Sequence, residues 1–425
     1  MNTIALLAAL LTAVAVLPGT LGILMLTNRI AASPSGARYI YFQSGALIVL
    51  ALVLLVYTWY RSAASDADSM VVIGSSIAVL LLLIYAFLMH AKLLFRPVRN
   101  PVFVSIEEAL DKFGPDEEVV GVIDKNGNPF AFIARLARRP HIVYQTEGDA
   151  PFIMTHCILA HSSMSYALEG SFQKPDITIT AALANNMVFY DKSNRCSVVQ
   201  LHNRLEGSND PLSTVPTVMT SLQTWQRHYP DSPVWMRPIE WRDVFYLKLL
   251  ARADVIDPDS SVMVYPLQHQ LDERLPMKSL VLGLLAGDQV RAYPADVVAD
   301  REIINDRLGE LRLAIFSVDD FVQVFDRRID GNTALTFEKS DQDGRFVDVQ
   351  TNSEWIATGA CVSGEYEGRR LSAVAHYNKI FWYVWSDYFP NCEIFGEREQ
   401  HYKKAGTGRT RQETTVGTVR PGGDR

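Results

Sequence analysis

The stretch Met154-Thr155-His156-Cys157-Ile158-Leu159-Ala160-His161 sets one cysteine between two histidines in apolar and small surroundings. Those residue types fit metal ligation, nucleophilic attack by the thiol, or a buried thiol with polar neighbours. In an extended strand, side chains alternate faces at about 3.3 Å per residue, so His156 points away from Cys157 while His161 shares its face about 13 Å along. Zn–S and Zn–N bonds of about 2.3 and 2.0–2.1 Å cannot bridge that gap. A shared site therefore requires a turn just after Cys157, which Ser162 and Ser163 permit, because positions i and i+4 meet in a helical turn. With His141 as third ligand, such a site would take copper or zinc. A nucleophilic Cys157 needs a base or positive field to bring its pKa down from about 8.5; either flanking histidine could serve, yet no acid is placed by sequence to orient it. The buried structural thiol makes the fewest demands. Cys157, His161, His156 and His141 are the candidate ligand-binding residues, and no catalytic residue is assigned.

Other polar groups point less sharply. Asp319-Asp320 and Asp341/Asp343 lack EF-hand spacing and read as solvated turns. Trp225, Trp382, Trp385 and Tyr388 fall at helical spacing and read as core. The four cysteines are scattered with no C-x-x-C, which excludes a zinc knuckle or c-type haem. A net charge of −7 offers no basic field, so nucleic acid is excluded as partner. No nucleotide-binding loop, nucleophile elbow or H-E-x-x-H occurs.

The elements that position these residues fall into two classes. Three apolar runs, 4–26, 39–60 and 70–95, carry no acid or base inside their apolar cores and are each long enough to cross about 30 Å of hydrocarbon. The first lacks the basic n-region of a cleaved signal and reads as a retained helix. Arg29, Arg38, Lys92, Arg96 and Arg99 gather on one side, so positive-inside bias puts the large C-terminal region in the cytoplasm. Past Pro101, short alternating runs broken by Gly, Asp and Asn suit β-strands.

Self-comparison shows a repeat about 160 residues apart. EVVGVIDKNGNPFAFIARL (118–136) resembles SLVLGLLAGDQVRAYPADV (279–297), and LQTWQRHYPDSPVW resembles WYVWSDYFPNCEIF, matching Trp225 to Trp385 and Pro230 to Pro390. The reading is a membrane region, 1–100, two β-rich modules at 101–236 and 266–396, a helical linker, 237–265, and a disordered basic tail, 397–425. Hairpins are expected at Asn185-Asn186 and at Asp330-Gly331-Asn332. An aromatic helix, 221–228 or 375–388, closes each module before Pro230 or Pro390. The fold class is therefore membrane-anchored α+β: three N-terminal transmembrane helices, then two tandem β-rich modules each closed by a short helix.

The motifs VRAYP, REIINDRLGE, VFDRRIDGNTALTF and the closing Trp-x-x-Trp–aromatic–Pro pattern resemble the bacterial family DUF3179, a domain of unknown function. The resemblance covers the second module nearly throughout and the first through YDKSN and TWQRHYPDS. It implies a polar centre built from a Tyr-Cys-Pro-Leu-Cys-Gly-Thr segment and a Trp-His-Glu, and it brings no established activity. Here Cys157 falls on the first cysteine, Ala160 on the second and His161 on the glycine, whereas the second module has Phe316 and Asp319 there. The family's histidine falls on Arg301, followed by Glu302. Family members are often exported, against the charge bias. The functional expectation is a non-enzymatic binding or scaffold protein in the bacterial inner membrane, partnered by the bilayer and by a small molecule, metal or protein. The alternative is a metal-handling or redox protein using Cys157 and nearby histidines, with copper or zinc.

Overall fold

The computed structural model describes residues 2–21, 44–63, 69–89, 94–249 and 253–396. The proposed tail, 397–425, and positions 250–252 of the linker lie outside the described residues. Leu-, Val- and Ala-rich sequence yields helices over Asn2–Leu21, Ser44–Ala63 and Ser69–Met89. Two stretches, Gly45–Ala63 and Ser69–Leu88, are long and apolar enough to cross a membrane. This corrects the expectation of three spans. The apolar stretch of the first helix, Asn2–Val16, reaches roughly 22 Å at 1.5 Å per residue, short of the ~30 Å hydrocarbon layer. The first helix packs against both others through Ala8, Ala15, Ala51 and Ala86, small residues that allow close approach. Leu6, Leu10, Val53 and Leu81 face outward. The third apolar run extends to 95 in sequence; its described helix is Ser69–Met89, and Leu94 and Phe95 are buried in the β-rich body.

Among the described residues that body holds six sheets, three in each half of the chain. The first half has a five-stranded sheet in the order Phe103–Val104, Val234–Trp235, Pro129–Ile133, Glu118–Ile123, Thr217–Ser221. Its second sheet runs Thr214–Val215, Ser162–Ala167, Phe152–Cys157, Ile142–Gln145, and its third Arg204–Leu205, Cys196–Val199, Asn186–Asp191, Ile177–Leu183. In the second half the orders are Tyr377–Phe381, Leu280–Ala286, Gln289–Pro294, Glu393–Ile394; then Ile303–Leu308, Leu311–Val318, Phe321–Asp326, Ser372–Ala373; then Phe337–Lys339, Arg345–Asp348, Glu354–Ile356, Cys361–Ser363. Each leading sheet has a single parallel contact, between its late two-residue strand and the partner that follows the first hairpin.

Each leading sheet is covered by a short helix, Leu222–His228 or Trp382–Tyr388. Trp225 lies flat over Gly121, and Trp385 over Gly283; a Cβ on either glycine would sit inside the ring. The second helix is shorter than expected, since Tyr377–Phe381 pairs as a strand. The Asn185 hairpin turns at Ala184-Asn185, both left-handed at φ 43° and 65°. The main hairpin of the second half turns at Asp319-Asp320, with Asp319 at φ 53°, whereas Asp330-Gly331-Asn332 closes only an isolated bridge, Arg328 to Ala334. The linker forms two helices, Trp241–Leu249 and Ala253–Ile256.

Candidate functional site

Cys157 ends its strand and faces the interior, where its Sγ donates to the Asn185 carbonyl at 3.7 Å. Burial pushes the thiol pKa up. It lines a cavity of about 50 Å³ with His141, Met187, Phe95, Tyr246 and Tyr265. His141 follows a short helix in a left-handed conformation, φ 69°. Its Nδ1–H donates to the His156 carbonyl at 2.8 Å, which leaves Nε2 as an acceptor facing the Tyr246 hydroxyl at 3.4 Å. Burial brings its pKa down to about 4, against the opposing pull of that backbone bond. The ring is therefore neutral at pH 7.

Strand alternation sends His156 the other way. Its Nδ1 meets Ser163 Oγ at 2.9 Å, and burial, then the His161 charge, bring its pKa to about 3. The chain does turn after Cys157, yet His161, at φ 50°, leaves the thiol and joins a polar seam between the two halves. Its Nδ1–H donates to the Lys379 carbonyl at 2.8 Å, and its Nε2 lies 3.3 Å from Glu118. Lys379 Nζ stands 3.8 Å from Glu118 and 3.5 Å from Asp320. Asp320 accepts from Thr220 Oγ1 at 2.7 Å and from the Ser221 N–H at 2.6 Å. Burial raises the Glu118 carboxyl, but the His161 hydrogen bond and the His161, Lys379 and His156 charges outweigh it and hold the pKa at about 2.

The four sequence candidates thus divide. Cys157 and His141 share the cavity, His161 belongs to the seam, and His156 packs between strands with Ser163. Among the described residues, no group of three His, Cys, Asp or Glu side chains is placed to hold a metal. Sequence reasoning misses Glu118, Lys379 and Asp320, which come from distant stretches, and Met187, two residues past the turn Asn185. Only Asp320 carries a signal, as half of Asp319-Asp320, and its pattern there is that of a solvated turn. Glu302, at the position after the family's histidine, pairs with Lys339 at 2.6 Å.

The register of the two halves also corrects the alignment of Cys157 with Phe316. The His156 N–H bonds to the His141 carbonyl, and the Ser317 N–H to the Glu302 carbonyl; both are left-handed, Glu302 as the cap of a short helix and His141 beyond the cap, Arg138, of another. Cys157 therefore stands opposite Val318, and the second half has no thiol there.

Fold and site together define a β-rich protein with N-terminal apolar helices and a small, uncharged internal cavity. The chain belongs to the DUF3179 family, described as a protein of unknown function, whose model matches residues 96–392 in one continuous run through both halves. No curated protein matches the chain. No solved structure matches it either.

Proposed function

We propose that this chain is a membrane-anchored, non-enzymatic binding protein whose β-rich body arose by tandem duplication, with copies at 101–236 and 266–396. The observation that carries the reading is an asymmetry. Framework residues recur in both halves, as Gly121 beneath Trp225 and Gly283 beneath Trp385, in sheets of the same strand order. The candidate thiol and imidazoles lie in the first half and are neutral: Cys157 a thiol, His141 and His156 uncharged imidazoles. A thiol nucleophile needs a lowered pKa beside a base or positive field; burial here acts in the opposite sense. Anchoring is supported by the two apolar helices and by a contact of one of them, Ser69–Met89, with the body. Arg242 of the Trp241–Leu249 helix lies over the Phe87 ring at 4.6 Å, and Arg139 holds the Leu94 carbonyl at 3.0 Å.

The Lys and Arg bias assigns the body to the cytoplasmic face of a bacterial inner membrane. Substituting the exposed Glu310→Cys and labelling it with an impermeant maleimide tests this, with the native thiols alone as control: labelling only after lysis is expected, and labelling in intact cells reverses the orientation. Substrate turnover by the purified full chain that disappears in Cys157→Ser would overturn the non-enzymatic reading. A second reading, metal handling at Cys157, is favoured by the cavity that this thiol shares with His141.

A further inference from the structure

The cavity beside Cys157 carries two sulfur side chains and one imidazole. Cys157 comes from the Phe152–Cys157 strand, Met187 from the Asn186–Asp191 strand, and His141 from the turn that follows a short helix. All three are buried, at 2%, 3% and 6% exposure. The lining contains no Asp, Glu, Lys or Arg among the described residues. From this we infer that the cavity is a copper(I) site, with Cys157 Sγ, Met187 Sδ and His141 Nε2 as ligands. The inference deepens the binding reading above by naming what is bound.

Size narrows the occupant first. A dry cavity of about 150 Å³ accepts benzene; the 50 Å³ here is a third of that and admits an ion but not a ring or an acyl chain. Charge narrows it next. Ligation exchanges the Cys157 proton for the metal, so Cu⁺ and the thiolate sum to zero, which an uncharged lining tolerates. Zn²⁺ with the same three ligands leaves one uncompensated positive charge in a buried site, a cost of several kcal/mol. Ligand softness agrees, because thiolate and thioether select Cu(I). His141 is poised for this by its backbone bond: with Nδ1–H given to the His156 carbonyl, the lone pair on Nε2 faces the cavity. That second-shell bond fixes the tautomer a ligating histidine needs. Tyr246, whose hydroxyl faces Nε2, swings off or stays as an outer neighbour.

The test uses full-length protein in detergent without a polyhistidine tag, titrated anaerobically with Cu(I) against a chromophoric Cu(I) chelator. One equivalent bound per chain, about one proton released and a new sulfur-to-copper absorption band are expected. Cys157→Ser should abolish binding. Met187→Leu, which keeps the side-chain volume and so the fold, should weaken it by more than ~10-fold. Cys196→Ser, at a thiol outside the cavity lining, should leave it unchanged. Failure to compete with the chelator overturns the proposal, as does equal affinity in Met187→Leu, or Zn(II) binding as tightly as Cu(I). Those failures leave the non-enzymatic reading standing, since that reading falls only to turnover dependent on Cys157.

Discussion

His376 shows how a single buried side chain sets a pH limit on this protein. Its Nδ1–H donates to the Val374 carbonyl at 2.9 Å, and its buried Nε2 has no hydrogen-bond partner. Burial brings its pKa from 6.5 to about 4, with the backbone bond opposing. As pH falls, the unfolded chain therefore takes up a proton before the folded one does. The contribution is complete above about pH 6.5, declines between 6.5 and 4, and is constant below; at 1.36 kcal/mol per unit it amounts to roughly 3 kcal/mol. Glu118 acts in a separate window, because its carboxyl is held at about 2 against 4.5, so its contribution is lost only as pH falls from 4.5 toward 2. The expected outcome is a denaturation midpoint that falls from pH 7 to 4.5, with a shallower fall in His376→Asn, which retains a donor for Val374. An identical pH slope in the variant would refute the assignment.

At the scale of elements, the glycine–tryptophan pairs are close contacts in the two leading sheets. A methyl group at Gly121 or Gly283 has no space beneath its indole, so the closing helix must lift. Overpacking of this kind costs about 1–3 kcal/mol, occasionally more. Gly121→Ala and Gly283→Ala should therefore each lower the melting temperature of the full chain by several degrees, and by similar amounts. A neutral result at either would mean that helix is not held as described. A second contact ties the linker helix to the first half of the body: Asp243 accepts from Arg139 at 2.5 Å and from Arg237 at 2.7 Å. Hydrogen bonds from Arg237, Glu240 N–H and Arg139 lower its pKa despite burial. Asp243→Ala leaves the buried Arg139 with only the exposed Glu240 as acid partner, and breaking such a pair costs about 3–5 kcal/mol. Thermal unfolding should report it as the largest loss among single acid-to-alanine changes in the linker.

These elements are legible in the sequence to unequal degrees. The tryptophan helix is visible in the self-comparison, which matches Trp225 to Trp385, whereas Gly121 and Gly283 lie inside strands and are not singled out by it. The Asp319-Asp320 hairpin is not visible, because Asp330-Gly331-Asn332 is the stronger turn signal and draws the assignment. Glu118, Lys379 and Asp320 meet only through the packing of one half on the other, which no local pattern encodes. The site is half legible: residue type and spacing single out Cys157 and His141, but the turn that could bring in His161 sends it to the seam, and Met187 looks like any core methionine.

The whole molecule is more than two modules joined by a linker, because its cores cross the boundary between the halves. One large cluster joins Tyr166, Met187 and Phe189 with Val281, Trp382 and Trp385, and the other joins Val119 and Trp225 with Phe316, Phe337 and Trp355. The contacts are reciprocal. The Thr217–Ser221 strand packs on Phe321–Asp326, and the Tyr377–Phe381 strand on Ser162–Ala167. Three phenols of the second half, Tyr377, Tyr383 and Tyr388, donate to carbonyls of Leu201, Leu159 and Leu183 in the first. Phe321 lies against His228 at 4.3 Å and Trp225 at 6.4 Å. Each aromatic ring bared by separation loses ~150–250 Å² of burial, about 4–6 kcal/mol as an upper bound at ~25 cal/mol per Å². A domain's net stability is about 5–15 kcal/mol, so exposing three such rings consumes it. Residues 94–265 and 266–396 produced separately should each lack a cooperative thermal transition, and co-expressed they should purify as one complex that melts in a single step. A sharp, independent transition in either half alone would show that the shared core is a contact surface between domains and not the source of their fold.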